Sequence, residues 1–386
     1  MWIKQLKVKG FRAFQKETTI NLSSNVTAIA GLAESKGDSS CSYIKFAETW
    51  CIPSDLYENV KEEFNRYWEY REMTIMASDG KVISFINMKG GVGKTTLCRE
   101  IGYTLNKKFK KSILFIDIDP QANLTQSLFE KYNLLPSDLY NDLSEEEKEK
   151  INVCNVSIGK LFDDSKNFPE IHDIIVDLDT TDNKLSLIPG DLETVFLERS
   201  NSGTKAESSL DKFIVRKEIC KKYDFILIDC PPTYSFYTTT AFNASDYYLV
   251  PVGIDPYSVL GIDLLEQVVE QIKENDFRRF DYKTLQNMGI IFNPNGYTSN
   301  STGKKLFDNQ RKAIKNSKKL KRYDFYYFEH YFKFVSTYKE KLDFFSIDKN
   351  NKKSNTNIIN ITQEFIDRIE FLNSIKKMAG GKDEWI

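Results

Sequence analysis

Lys89-Gly90-Gly91-Val92-Gly93-Lys94-Thr95-Thr96 is the stretch of this 386-residue chain whose residue types most plainly do chemistry. A polyphosphate needs many N–H donors converging on it, and side chains block the backbone's approach. Glycines at 90, 91 and 93 remove that obstruction and permit positive φ. Lys94 supplies a point charge for β- and γ-phosphates, Thr95 a hydroxyl for Mg²⁺, and Thr96 a hydroxyl within reach of an α-phosphate. Carboxylates follow at Asp117, Asp119 and Asp229, each closing an apolar run. Acids so placed can hold the water shell of a divalent cation and steer a water molecule. The bland alternative for Asp117 and Asp119 is a pair of capping or turn carboxylates.

Such a constellation needs strands and helices to hold it. Val82-Ile83-Ser84-Phe85-Ile86 precedes the glycines and Leu97 to Leu105 follows with helical spacing, giving strand, turn and helix. The helix start adds unpaired N–H groups and a positive dipole end. Ile113 to Ile118 and Phe225 to Ile228 are apolar runs of the kind buried in parallel sheets, where ligands bind beyond the carboxyl ends of strands. Tyr247 to Val252 and Gly289 to Phe292 supply two more strands. Residues 81–293 therefore predict an α/β fold, a mostly parallel twisted sheet flanked by helices, with a small α+β region before it. The expected division is 1–78 and 79–386.

The motif KGGVGKTT, with Lys89 ahead of the glycine pair, resembles the deviant phosphate loop (deviant Walker A) of the ParA/MinD superfamily of P-loop ATPases. Asp117-Ile118-Asp119-Pro120-Gln121 resembles that family's D-x-D-P-Q segment, Leu185-Ser186-Leu187-Ile188-Pro189-Gly190 its L-x-L-I-P strand end, and Asp229-Cys230-Pro231-Pro232 its Walker B turn. The resemblance covers roughly 81–375. It implies ATP and Mg²⁺ as ligands, with Lys89, Lys94 and Asp119 catalytic, Asp119 directing the attacking water, Asp229 and Thr95 at the metal, and Asp117 behind them. It implies that Lys89 reaches the nucleotide of a partner subunit in a homodimer. The loops after Pro251, including Asp255, and after Asn293 are expected around the adenine, with Asn293 on the base edge; a capping or turn asparagine is the alternative. Related iron proteins hold a cluster with cysteines, but nothing here supplies a ligand set around Cys230.

The net charge of −1 announces no nucleic-acid partner globally, so any such contact must be a local patch. Six cysteines without a C-x-x-C pair read as reduced thiols of a cytoplasmic protein. No apolar run approaches the ~20 residues of a membrane span, and Met1-Trp2-Ile3-Lys4 lacks a signal-peptide pattern. Ile3, Leu6, Val8, Phe11, Arg12 and Phe14 resemble the opening of SMC/RecF-type ATPases. The stretch that should then bind phosphate, Gly31 to Ser39, has Lys36 and Gly37 in the wrong order and carries Glu34 and Asp38; it is a non-binding remnant or a coincidence. Strands are expected near residues 3–8, 18–22 and 26–30, and a helix over 54–71. No helix-turn-helix pattern is visible there.

Residues 303–322 are dense in cations: Lys304, Lys305, Arg311, Lys312, Lys315, Lys318, Lys319, Lys321 and Arg322. A solvated helix face is the ordinary reading. The nearly single-sign run instead fits phosphate contacts without sequence preference, with Arg278, Arg279 and Lys283 as candidate additions. The aromatic stretch 323–345 is expected to pack against the domain. A final helix over 361–378, apolar at Ile361, Phe365, Ile369, Leu372 and Ile375, is expected to dock by one face. The whole reads as a ParA-like ATPase, slow alone and stimulated by a ParB-like partner, that dimerises on ATP, binds DNA and positions plasmid or chromosomal copies on the nucleoid. The alternative is a nucleotide switch with little hydrolysis in a defence or regulatory complex, using residues 1–78 as its partner module.

Overall fold

The structure is a computed structural model. It describes residues 80–162, 168–191, 204–255, 257–294, 301–332, 341–348 and 352–380, together with four short strands nearer the start. The chain divides into two compact units, Met1–Glu72 with Ser374–Ile386, and Met73–Asn373. In the first unit β1 (Gln5–Val8) pairs antiparallel with β2 (Thr18–Asn21), and β3 (Val26–Gly31) with β4 (Glu48–Pro53). The helix expected over 54–71 and the stretch 32–39 lie outside the described residues.

The second unit is built on seven strands: β5 (Lys81–Phe85), β6 (Ile113–Asp117), β9 (Val176–Asp179), β10 (Leu185–Ile188), β11 (Phe225–Asp229), β12 (Tyr247–Gly253) and β13 (Gln286–Asn293). The spatial order is β13-β12-β5-β11-β6-β10-β9, and every pairing is parallel except β10 with β9 at one edge. A separate two-stranded parallel ribbon joins β7 (Leu134–Leu135) to β8 (Asn152–Val153). Alternation along the strands divides the core into two layers. Val82, Leu114, Ile116, Ile226 and Ile228 face one layer, and Ile83, Phe85, Ile113, Phe115 and Leu227 the other.

The helices that matter are α1 (Lys94–Lys107), α2 (Asn123–Tyr132), α3 (Ser209–Arg216), α4 (Phe236–Ala244), α5 (Ser258–Asn275), α6 (Ser301–Lys315) and α7 (Lys352–Gly380). Leu97, Ile101 and Leu105 of α1 share their layer with Ile358, Ile361 and Phe365 of α7. Residues of α3, α4, α5 and α6 fill the opposite layer. The final helix is longer than its apolar spacing indicated, because the polar turn from Lys352 continues it upstream. The basic run is not one helix: α6 stops at Lys315, and a separate 3₁₀ turn covers Lys321–Tyr323. The aromatic stretch packs inward, with Phe328 and Phe332 buried and residues 326–332 bonded along β13.

Close approach of α1 to the sheet depends on Gly102, where a Cβ would run into the Phe115 ring and come within 2.8 Å of Leu227 Cδ1. Gly261 in α5 has open space around it. Gly102→Ala should therefore cost roughly 1–3 kcal/mol by overpacking, whereas Gly261→Ala should gain about 1 kcal/mol from helix propensity. Urea unfolding followed by circular dichroism measures both; shifts of the same sign would contradict the close-approach assignment.

Candidate nucleotide-binding site

The site forms where the carboxyl ends of β5, β6, β11, β12 and β13 converge. Because β5 is flanked by β11 on one side and β12 on the other, the chain leaves its first strand at a reversal of strand order, where such sheets open a crevice. Asn87 anchors the turn that follows β5. Its Nδ2 donates to the Pro251 carbonyl at 2.7 Å, and its Oδ1 accepts from the Lys89 amide at 3.0 Å. Gly91 and Gly93 adopt φ of 72° and 90°, which L side chains rarely reach. Gly90 and Gly91 are exposed, with no atom within 4 Å of where a Cβ would stand, so the loop's backbone is open to a ligand. The Leu97 amide then bonds the Gly93 carbonyl at 2.9 Å and starts α1.

Lys94 is buried and its ammonium donates to the Lys89 carbonyl at 3.2 Å. Burial lowers its pKa, while the charges of Asp229 and Asp119 act the other way. Asp229 is fully buried at the end of β11, in register with Asp117 on the neighbouring β6. Burial first, and then the Asp117 charge, push Asp229 well above the carboxylate range. Neither Asp229 oxygen has a protein partner in full hydrogen-bond geometry, although the Thr95 hydroxyl lies close enough to favour the charged form. Asp117 accepts from the Thr125 amide and hydroxyl through Oδ2, both at 2.8 Å, while its buried Oδ1 has no partner in full hydrogen-bond geometry, although the Asp119 amide lies close enough to the carboxyl to favour its charged form. Asp119 is buried nearby, and its Oδ1 caps the Gln121 amide at 2.9 Å. Unsatisfied carboxylate oxygens beside a hydroxyl and an open amide loop fit a hydrated divalent cation and a polyphosphate.

Two expected residues have protein partners of their own in this structure. Asn293, expected at a base edge, is buried against the loop and donates from Nδ2 to the Val92 carbonyl at 2.9 Å. A Cβ on Gly93 would come within 2.6 Å of that same nitrogen. Asp255 forms an ion pair with Lys89 at 2.6 Å, with the lysine side chain 47% exposed. Asn87 and Thr125 are not singled out by sequence, since an isolated polar residue beside a motif carries no spacing signal.

The basic run is divided by its contacts. Arg311 turns inward, donating to the Phe328 carbonyl at 2.8 Å and stacking on the Phe292 ring. Lys315 lies over the Tyr327 ring, and Lys319 and Arg322 pair with Asp263 at 2.9 and 2.8 Å. Lys304, Lys305, Lys312 and Lys318 are exposed. Arg279 and Lys283 do not join a surface patch, because both are buried in ion pairs with Asp211.

A family model described as an AAA domain matches residues 80–281, more than half of the chain. Sporulation initiation inhibitor protein Soj of Bacillus subtilis is 32% identical over 197 residues, covering 51% of this chain and 67% of Soj. The chain belongs to the ParA/MinD family of P-loop ATPases. An uncharacterized protein of Methanocaldococcus jannaschii is 31% identical over 225 residues, or 58% of this chain and 77% of its own length. Two solved structures share the fold. The ATP complex of a Cyanothece McdA variant has a TM-score of 0.55 at 18% identity, covering 75% of this chain and 97% of that one. A plasmid partition protein of Borrelia burgdorferi bound to AMPPNP has a TM-score of 0.52 at 21% identity, covering 75% and 100%. Among the described residues no helix is long and apolar enough to cross a membrane.

The buried acids of this ParA/MinD-family site make stability depend on pH. Burial, and to a lesser degree the Asp119 charge, raise Asp117 to about 7 despite its bonds from Thr125. Between the ordinary carboxyl value and about 7 the folded chain holds a proton that the unfolded chain has released. Stability from this group therefore falls as pH rises through that window and levels off above it. Without nucleotide, Asp117→Asn should gain on wild type between pH 4 and 7 by on the order of a few kcal/mol. Denaturant unfolding across pH 4–8 measures the difference, and a flat difference would contradict the assignment.

Proposed function

We propose that residues 79–386 are an ATPase unit that binds ATP with Mg²⁺ at this loop, and that residues 1–78 are a distinct N-terminal extension. Lys94 and the amides of 90–96 would hold the phosphates. Thr95 would ligate the metal, Asp229 would hold its water shell, and Asp119 would direct the attacking water. The metal would withdraw charge from the phosphates; every positioning group belongs to the chain. Pro251 and Asp255 lie on the rim expected to face the base and ribose.

The observation that carries the partition reading is the second lysine of the loop. Lys89 is the exposed member of its ion pair with Asp255. Such an exposed pair is worth roughly 0–1 kcal/mol, so Lys89 can exchange this partner for a phosphate of a second subunit at little cost. ATP would then join two copies face to face. The dimer would bind DNA without sequence preference through Lys304, Lys305, Lys312 and Lys318, on the nucleoid in the cytoplasm. A ParB-like partner would stimulate slow hydrolysis and release the dimer, and repeated cycles would segregate plasmid or chromosomal copies. Plasmid partition is what the Borrelia neighbour is named for, and the Soj relative is of the same family.

With ATP, Asp119→Ala should accumulate as a DNA-retained dimer, while Lys89→Ala binds ATP but stays monomeric. Size-exclusion chromatography and DNA retention check this, and a monomer in every nucleotide state would overturn the reading. Nucleotide binding with no turnover, with or without DNA, would favour the switch instead. Log affinity for DNA should fall steeply with log salt at a slope of about −0.9 per phosphate neutralised. The triple variant Lys304→Ala, Lys305→Ala, Lys312→Ala should flatten that slope by about 2–3 units, whereas Arg311→Ala should act on stability.

A further inference from the structure

Thr125 stands at the meeting point of three elements. It is the third residue of α2, whose preceding residue, Ala122, has no side-chain acceptor to cap the helix. Asp117 at the end of β6 fills that role from a distance, its Oδ2 accepting both the Thr125 amide and the Thr125 hydroxyl at 2.8 Å. The same hydroxyl oxygen accepts the Gly190 amide, beyond the end of β10, at 2.7 Å. A hydroxyl has one proton to give, and here the incoming Gly190 amide commits that proton to Asp117. The β-branched side chain has little rotamer freedom to escape. Gly190 closes the arrangement from behind, since a Cβ there would stand 3.1 Å from Asp117 Cγ and 3.2 Å from Ala122 Cβ. The consequence is asymmetric: one Asp117 oxygen is bonded twice, while the buried Oδ1 has no partner in full hydrogen-bond geometry, only the Asp119 amide standing close to the carboxyl, and it belongs to a carboxyl in register with Asp229.

We propose that Thr125 is a positioning residue of the metal site, fixing Asp117 through Oδ2 so that Oδ1 is left for the Mg²⁺ water shell held by Asp229. The proposal rests on the ATP–Mg²⁺ reading above. It goes beyond helix capping, because a cap alone would affect folding and leave the metal requirement untouched. Groups behind a metal's direct ligands typically change metal affinity or activity by about 10–100-fold.

The test is a Mg²⁺ titration of mant-ATP binding by fluorescence, with thermal unfolding in parallel. Thr125→Val keeps the shape and the amide but removes the hydroxyl. It should need about 10-fold more Mg²⁺ for half-saturation, with Mg²⁺-free mant-ATP affinity unchanged. Thr125→Ser keeps the hydroxyl and should stay within about twofold of wild type. Should Thr125→Val not fold, Thr125→Ala makes the same comparison. A Val or Ala variant that titrates like wild type overturns the proposal, as does a Ser variant impaired as much as Val. If wild type itself shows no Mg²⁺-dependent uptake, the ATP–Mg²⁺ reading fails and this inference falls with it. A wild type that responds to Mg²⁺ beside an unaffected Val variant isolates the failure to Thr125.

Discussion

Two carboxyl groups sit in register on adjacent strands, both sealed from solvent, and the architecture around them answers to that fact. Charged groups taken out of water cost on the order of several kcal/mol each unless paired. Here the nearest cation is Lys94, whose own charge is disfavoured by burial. Two carboxylates against one ammonium leave a net negative charge unless one acid keeps its proton, and that excess is what a divalent cation would meet. A chain selected for stability alone would place apolar residues at these strand ends, as it does one residue earlier at Ile116 and Ile228. Retaining the acids trades stability for a place where a cation is wanted.

What holds such a site in shape is packing and hydrogen bonding from behind. Helix α1, which carries the phosphate loop, is gripped on its far side by residues 342–348. Arg99 donates to the Leu342 and Phe344 carbonyls at 2.9 Å each and lies over the Phe345 ring. Glu100 accepts the Ser346 amide at 3.0 Å, and Asp348 meets both Tyr103 and Lys131. The loop itself is tied to β12 and β13 by Asn87 and Asn293. Binding energy spent on a nucleotide would therefore not be consumed in ordering the loop.

The sheet was legible because its strands are nearly pure apolar runs ending in acids or turns, and the loop because glycines and lysines at fixed spacing have few other uses. Asp229 and Asp117 could be placed by the same rule. The antiparallel edge strand β9 was not readable, since the alternation of Val176–Asp179 lasts only four residues and its place at the edge comes from pairing with β10. Sequence could not show which cations of 304–322 were spoken for either. Arg311 and Lys312 are neighbours of the same charge, yet one is half-buried on Phe292 and the other exposed. That distinction comes from α6 turning about 100° per residue over a neighbour that only the tertiary fold supplies. Asn293 was visible as a strand-end polar residue, but its partner, Val92, lies in the loop 201 positions earlier.

The contacts at the rim also decide which side chain is able to move. Asp255 is held three ways: it accepts the Tyr257 amide at 2.9 Å and, shared with the Gly253 carbonyl, the Ser258 hydroxyl at 2.8 Å, in addition to Lys89. Burial alone would raise its pKa, and these bonds bring it below the usual carboxylate range, so it stays an anion. Remove the lysine and two local donors remain, both set by the start of α5. Lys89 has no comparable second anchor for its ammonium among its described contacts, and its side chain is 47% exposed. Lys94, by contrast, is enclosed and fixed on a loop carbonyl. The two lysines of one motif thus differ in what they can do: the inner one is a permanent feature of the loop, and the outer one is a long, solvated cation resting on an acid that can spare it. An acid so placed keeps Lys89 close to the loop, and in the function proposed above it is a phosphate that would compete for it.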